Sequence, residues 1–138
     1  MLIDTCALIW LVLGARMAPG AVTAINRAAA TGSLFISTIS AWEVGLLGRG
    51  RPGRHPTLDA LPDAKTWFNR AVHTTRAGEA RLTAAMAADA ASLPGIPPAD
   101  PCDRMILSTA RHLNIPVITR DGRMLDYAAA GHVKLIGC

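Results

Sequence analysis

The sequence predicts an α/β protein, a three-layer α/β/α sandwich with a central parallel sheet. Short runs of aliphatic and β-branched residues, among them "LIDT" at residues 2–5 and "IPVITRD" at residues 115–121, have the length and composition of buried strands. Longer amphipathic segments separate these runs. Strands that alternate with helices form parallel sheets covered by helices, with right-handed crossovers.

Local signals place the individual elements. Four segments are predicted to be strands, at residues 2–5, 33–40, 115–121 and 132–138. Pro19 is a typical start signal of a helix, and Gly32 and Asn114 are typical stop signals. Ser40 and Glu43 have the spacing of a capping box, which is a purely structural device. The predicted helices cover residues 7–16, 19–32, 40–50, 61–75, 79–95, 102–114 and 122–131.

The composition indicates a single domain, residues 1–138, with a substantial core. Hydrophobic residues make up 51% of the 138 residues, and the mean hydropathy is +0.29. Charged residues interrupt the apolar runs before they reach the roughly 20 residues of a membrane span, and the first residues lack the pattern of a signal peptide. We therefore expect a cytoplasmic protein with no membrane segment. The three cysteines lack C-x-x-C spacing, which is against a zinc site or a disulfide framework.

Acidic residues stand where predicted strands end or where the following helices begin. Asp4 closes the first strand, Glu43 opens the helix after the second, and Asp121 closes the third. Asp100 and Asp103 begin another helix. The carboxyl ends of parallel strands share one edge of the sheet, where open α/β folds bind ligands. We therefore expect these five acids to converge.

A cluster of carboxylates requires a compensating charge. Carboxylates about 4 Å apart repel by several kcal/mol at an effective dielectric constant near 20, which raises their pKa values or loosens the fold. A divalent cation removes this repulsion, and ligands that are all oxygen suit Mg²⁺ or Mn²⁺ rather than Zn²⁺. The sequence thus predicts a magnesium or manganese site.

The charge balance favours a polyanionic substrate. The net charge is +4, and the densest basic stretch, "GRGRPGRH", carries Arg49, Arg51 and Arg54, either as a solvated loop or as contacts to phosphate. A metal site beside a basic rim suits hydrolysis of a phosphodiester, because the cation can lower the pKa of a water molecule and offset charge on phosphate. The chain has neither a phosphate-binding P-loop nor a G-x-G-x-x-G motif, and no serine or cysteine nucleophile with a base partner is evident.

Four motifs follow one another along the chain: "LIDTCALIW", "STISAWEVGLL", "DPCDRMILSTA" and "PVITRDGRM". Together they resemble the PIN-domain ribonucleases, in particular the VapC-type toxins of bacterial toxin–antitoxin pairs. The resemblance covers nearly the whole chain. It implies a three-layer α/β/α fold with a central parallel sheet. It also implies an endoribonuclease that depends on Mg²⁺ or Mn²⁺, acts on RNA, is held in check by a cognate antitoxin and forms a homodimer.

The resemblance further implies roles for individual residues. Asp4, Glu43 and Asp103 match the family's first three acids and would be the principal metal ligands, whereas Asp121 matches the fourth and would complete the site. The side chains that would orient these ligands are Thr5 and Thr119. The charge of the chain, rather than the resemblance, suggests Arg49, Arg51, Arg54 and Arg120 as candidates for contacts to RNA.

The chain departs from the family's pattern at one position and leaves a choice open at another. Many relatives carry a lysine one turn after the glutamate, where this chain has Leu47, so contacts to phosphate fall to the arginines. Asp100 could be the inner ligand in place of Asp103, although a residue in the first helical turn is better fixed than one before a proline. Asp126, on a predicted helix face, is expected to be solvated.

Other classes of protein fit the sequence less well. A receiver domain needs an adjacent acid pair after the first strand and a lysine directly after a late strand, whereas Asp4 stands alone here and Arg120 follows the "PVIT" segment. A haloacid-dehalogenase-type phosphatase needs an aspartate where Cys6 stands. A catalytically inactive scaffold that binds RNA or protein stays open, although it has no need of a repulsive cluster of carboxylates.

The first and third predicted helices carry more apolar surface than a small core needs. Core packing accounts for most of it, and a groove for an antitoxin segment or a homodimer face are the alternatives. The residues concerned are Trp10, Leu11, Leu13, Trp42, Leu46 and Leu47.

Overall fold

The computed structural model, which describes residues 1–48 and 63–138, has a central sheet of five parallel strands. The strand order in the sheet is β3-β2-β1-β4-β5. Every neighbouring pair is parallel, so the carboxyl ends of all five strands lie along one edge. The strands are β1 (Leu2–Ile3), β2 (Phe35–Ser37), β3 (Gly78–Ala80), β4 (Val117–Thr119) and β5 (Leu135–Gly137).

Helices cover both faces of this sheet, which confirms the predicted three-layer α/β/α class. Side chains on alternate strand residues point to opposite faces, and Ile3, Ile36 and Ile118 pack with one group of helices while Leu2 and Val117 pack with another. The described helices are α1 (Thr5–Val12), α2 (Pro19–Ala30), α3 (Thr38–Leu47), α4 (Ala64–Thr75), α5 (Ala84–Ala91), α6 (Pro101–Leu113) and α7 (Gly122–Ala129).

The two cores divide the helices between the layers. The core that contains Ile3 takes buried side chains from α1, α2, α3 and α4. The core that contains Leu2 takes them from α6 and α7, and α5 is joined to α6 by a hydrogen bond that Ser108 Oγ donates to the Met86 carbonyl oxygen at 2.8 Å. Because β1 is fully buried between both layers, its following residue is held tightly at the carboxyl edge.

The sequence prediction missed β3 and placed its residues in a helix. The predicted helix over residues 79–95 is wrong in its first turn, because residues 78–80 pair with β2 and the helix begins only at Ala84, where Thr83 accepts a hydrogen bond from the Met86 N–H. A Cβ atom on Gly78 would lie 3.0 Å from Phe35 Cδ1. Close packing therefore requires glycine here, and glycine weakens the sequence signal of a strand.

The boundary between β2 and α3 also differs from the prediction. The strand ends at Ser37, which is the N-cap residue of α3 and accepts a hydrogen bond from the Ile39 N–H at 3.2 Å. The capping box predicted for Ser40 is therefore wrong, because Ser40 already lies inside the helix. Ser37, Thr38 and Ser40 are all plausible caps by residue type, and tertiary packing selects the first.

Within residues 1–48 and 63–138, the structure contains no helix of sufficient length and hydrophobicity to cross a membrane.

Truncation of a central strand residue should be costly for the whole fold. Ile118 is fully buried in β4 and is the register partner of Ile3 on the neighbouring strand β1. We therefore expect Ile118→Ala to lower the free energy of unfolding by about 2–5 kcal/mol. Leu113 at the end of α6 is 42% exposed, and Leu113→Ala, as the control, should cost less than about 1 kcal/mol. Urea denaturation followed by circular dichroism measures both values, and equal losses would contradict the placement of Ile118 in the core.

Candidate functional site

Two acids follow adjacent central strands and share one threonine. Asp4 is the residue between β1 and α1 and is only 4% exposed, and Asp121 lies between β4 and α7. The buried Thr119 hydroxyl donates a hydrogen bond to Asp4 Oδ2 at 2.9 Å and accepts one from the Asp121 N–H at 3.0 Å. Asp121 Oδ1 in turn accepts hydrogen bonds from two N–H groups at the start of α7, which leaves Oδ2 outside the cap. The pairing of β1 with β4 thus places both carboxylates at one point of the sheet edge.

Glu43 reaches the same edge from the middle of α3. The Thr5 hydroxyl at the first residue of α1 donates a hydrogen bond to Glu43 Oε2 at 2.5 Å. It also lies within donor distance of Ser40 Oγ, at 2.8 Å. Ser40 and Glu43 are one turn apart on α3, so both face α1. Thr5, the residue that follows Asp4 in the chain, therefore links the start of α1 to α3.

The start of α6 supplies the remaining two acids in different environments. Asp100 is the N-cap residue, is exposed to solvent, and accepts a hydrogen bond from the Cys102 N–H with Oδ1 at 2.7 Å. Asp103 stands in the first turn of the helix, is half-buried, and has no hydrogen-bond partner among the described residues. One oxygen of Asp100 is thus used to cap the helix, whereas both oxygens of Asp103 remain available.

Burial is the main reason why the acids of this edge bind protons more tightly than usual. It raises the pKa of Asp4 to about 6, an effect opposed by the hydrogen bond from Thr119 and reinforced by the charge of Asp121. It raises the pKa of Glu43 to about 7, opposed by the hydrogen bond from Thr5 and reinforced by the charges of Asp4 and Asp100.

The charges that act on Asp103 come from the other four acids. Burial raises the pKa of Asp103 to about 7, and these four charges add to the rise. The five side chains that the sequence analysis expected to converge therefore interact electrostatically: Asp4, Glu43, Asp100, Asp103 and Asp121. We call this set the acidic cluster.

The donor set of the acidic cluster fits a hard divalent cation. All of its ligand atoms are carboxylate oxygens, and three of its members have raised pKa values that a nearby positive charge would lower. In the part of the chain that the structure describes, no three Asp, Glu, His or Cys side chains already stand in a metal-binding arrangement. The cluster thus fits a cation by chemistry, and its side chains must move closer together to coordinate one.

Arg120 makes intramolecular contacts. Its guanidinium group lies 3.8 Å from the centre of the Trp10 ring and donates hydrogen bonds to the carbonyl oxygens of Cys138 and Arg16. These contacts tie α1 to the strand that carries Thr119. Arg49, Arg51 and Arg54, the other arginines expected to contact RNA, lie outside the described residues.

Cys6 lies beside the cluster, and the residue as a whole is exposed although its sulfur is partly buried. This partial burial and the charges of Asp4, Glu43, Asp103 and Asp121 raise the pKa of the thiol to about 11. The thiol is therefore protonated at neutral pH and a weak nucleophile. Asp126 is exposed on α7, as expected.

Sequence reasoning missed Ser40 as part of this site, because it treated Ser40 and Glu43 as a capping box. The spacing of the two residues by three positions was a usable signal: it predicts one helix face, and that face meets Thr5.

Comparison with known proteins places the chain in a family. Residues 1–130 match the family model of the PIN domain. The chain belongs to the PIN domain family. PIN domains are generally nucleases, and the membership confirms the family predicted from the four motifs. No curated protein sequence matches the chain.

Solved structures of PIN proteins share the fold at low sequence identity. VapBC2 from Rickettsia felis, bound to a DNA fragment from its promoter, has a chain that is 12% identical with a TM-score of 0.65; the match covers 99% of this chain and 96% of that one. FitAcB from Neisseria gonorrhoeae has a chain that is 18% identical with a TM-score of 0.56, and the match covers 98% and 95%.

The raised pKa of Asp4 makes the stability of the protein depend on pH. The folded state keeps a proton on Asp4 that the unfolded state loses at lower pH, so the free energy of unfolding falls as the pH rises from about 4 through about 6. A rise in pKa from 3.8 to about 6 corresponds to on the order of 3 kcal/mol. Asp4→Asn should therefore stabilise the protein more at about pH 8 than at about pH 5, because asparagine does not titrate.

Urea denaturation at both pH values, with no divalent cation present, measures this difference. The exposed Asp126→Asn variant is the matched control and should differ from the wild type equally at both pH values. An Asp4→Asn effect that does not change with pH would contradict the raised pKa.

Proposed function

We propose that residues 1–138 form a single PIN domain that acts as a VapC-type toxin, a cytoplasmic endoribonuclease dependent on Mg²⁺ or Mn²⁺ and neutralised by a cognate antitoxin. The observation that carries this proposal is the acidic cluster. Five carboxylates lie along the carboxyl edge of a parallel sheet, and three of them have pKa values raised by burial and by the charges of other members of the cluster. Burial of carboxylates and the repulsion between them lower the stability of the folded protein. A divalent cation as cofactor would offset this cost, and it gives the cluster a function.

Asp4, Glu43 and Asp103 would hold the cation, with Asp121 completing the site. A bound Mg²⁺ or Mn²⁺ supplies positive charge that polarises a phosphodiester and acidifies water. The protein fixes the ligands: Thr119 holds Asp4 and Thr5 holds Glu43. Hydroxyl groups of this kind orient metal ligands and tune their basicity.

The geometry at the start of α6 supports Asp103 over Asp100 as the inner ligand. Asp100 Oδ1 is engaged by the Cys102 N–H, and its side chain is exposed. Asp103 is half-buried, is affected by the charges of the other acids, and has no hydrogen-bond partner on either oxygen among residues 1–48 and 63–138.

RNA is the proposed substrate because the chain as a whole is basic while its acids are concentrated in the cluster. A net charge of +4 attracts a polyanion, whereas an acidic cluster without a cation would repel it. The RNA contacts that the proposal assigns to Arg49, Arg51 and Arg54 rest on the basic stretch in the sequence. Since two donor groups of Arg120 are engaged by carbonyl oxygens, its contribution to RNA binding would be secondary.

Substitution of the proposed ligands should abolish cleavage of RNA. We expect Asp4→Asn and Asp103→Asn each to lower the rate by roughly 100-fold or more, because an amide binds Mg²⁺ or Mn²⁺ far more weakly than a carboxylate. Asp126→Asn should cleave like the wild type. Cleavage of total RNA with Mg²⁺ or Mn²⁺, with and without a chelator, measures the effect. Equal cleavage by Asp4→Asn and wild type would contradict the mechanism, and a wild type that cleaves no RNA would favour a catalytically inactive scaffold.

Exposed apolar residues at the end of α1 and on α3 support the proposed protein partner. Leu13, Trp42 and Leu46 are 42%, 56% and 47% exposed, and all three belong to the surplus apolar residues noted in the sequence. Apolar residues that form a contiguous exposed patch mark protein interfaces. We assign these three residues to contact with the antitoxin, and we propose a homodimer as a separate assembly that the mass in solution would reveal.

Expression of the chain in a bacterial host should arrest growth through the acidic cluster. Glu43→Gln removes one ligand charge, so we expect growth to recover. Glu79→Gln is the matched control, since Glu79 is an exposed residue of β3, and it should remain toxic. Growth curves after induction measure the effect, and co-expression of a cognate antitoxin, sought in any small reading frame directly upstream, should restore growth. Toxicity that survives Glu43→Gln would contradict the proposal.

A further inference from the structure

The Thr5 hydroxyl faces two acceptors on α3. Its oxygen is 2.5 Å from Glu43 Oε2 and 2.8 Å from Ser40 Oγ. Thr5 is 2% exposed and Ser40 is fully buried, so water does not compete for either hydroxyl. All three groups therefore depend on one another for hydrogen bonds.

A hydroxyl carries one hydrogen and can donate it fully to only one acceptor at a time. The carboxylate of Glu43 is the stronger acceptor because it is charged. Ser40 Oγ is the second acceptor, already at donor distance, and it needs no rearrangement of the backbone to receive the hydrogen.

The second acceptor matters because the acidic cluster is not yet in a metal-binding arrangement. Among residues 1–48 and 63–138, no three potential ligands stand close enough together to hold a metal ion. Glu43, on α3, accepts a hydrogen bond from Thr5, on α1. Glu43 Oε2 accepts the hydrogen bond from Thr5, so use of this oxygen as a ligand to a cation would weaken that bond. If Thr5 had no other acceptor, its buried hydroxyl would then be left unsatisfied, which is costly.

We propose that Ser40 is a positioning residue that takes over the Thr5 hydrogen bond when Glu43 turns towards the other acids to bind a divalent cation. The inference rests on the proposed function and adds a residue to it. Ser40 acts on the cation only through Thr5 and Glu43, and makes no contact with substrate.

This exchange predicts that the effect of Ser40 on metal binding depends on Thr5. Ser40→Ala removes the second acceptor, so release of Glu43 costs a hydrogen bond and the affinity for Mn²⁺ should fall by roughly three- to tenfold, which corresponds to one hydrogen bond of ordinary strength. Thr5→Val removes the hydroxyl that both acceptors share, so the exchange cannot occur in this variant. In the double variant, Ser40 has nothing left to act on, and the affinity should equal that of Thr5→Val.

The experiment is a titration of the purified full chain with Mn²⁺, followed by calorimetry and by the electron paramagnetic resonance signal of free Mn²⁺. Ser108→Ala is the matched control, because Ser108 is also a buried helical serine but donates its hydrogen bond to the Met86 carbonyl oxygen, away from the cluster. Circular dichroism checks that each variant folds. Ser40→Cys, with a weaker acceptor atom of similar size, replaces Ser40→Ala if the latter does not fold, and should give a smaller loss.

The outcomes separate this inference from the proposed function. Wild-type binding with unchanged affinity in Ser40→Ala, or the same loss from Ser40→Ala in the Thr5→Val background as in the wild type, overturns the role of Ser40 and leaves the metal site standing. A wild type that binds no Mn²⁺ overturns both. A loss in Ser40→Ala that disappears in the double variant, with Ser108→Ala unchanged, supports the exchange, because a merely structural serine would weaken binding regardless of Thr5.

Discussion

The position of β1 between β2 and β4 is the constraint on which the rest of the structure depends. This strand has only two residues, and its backbone is hydrogen-bonded on both sides. Its register with β4 is what brings Thr119 into contact with Asp4. The same placement puts the start of α1, and with it Thr5, against α3. The position of this short strand therefore places Asp4 beside the end of β4 and beside α3, which carries Glu43.

The acidic cluster shows a balance between burial and hydrogen bonding. Burial raises the pKa values of Asp4 and Glu43, and in each case a threonine hydroxyl opposes the rise. Asp103 lacks such a donor among the described residues, and its pKa reaches about 7. These carboxyl groups consequently change protonation close to neutral pH. A site of this kind is costly to the folded protein by itself and is stabilised by whatever positive charge binds to it.

Much of the fold followed from local patterns, and the failures have physical causes. The aliphatic runs around Ile36 and Ile118 predicted strands because a buried parallel strand needs continuous apolar residues. The strand at Gly78 was missed because its glycine is needed for close packing against Phe35, a contact that no local pattern reveals. The exact residue that caps α3 was also beyond local information, since three neighbouring residues have suitable side chains.

The sequence by itself determined the fold class, the family and the five acids that stand at strand ends, because hydrophobic periodicity and motif order are local properties of the chain. Tertiary structure alone decided how those acids differ. Asp4 is buried and accepts a hydrogen bond from Thr119, whereas Asp100 caps a helix. Asp103 has no hydrogen-bond partner among the described residues. Ser40 lies within hydrogen-bond distance of Thr5. These contacts join residues that are distant in sequence, so only the packing of helices on the sheet could establish them.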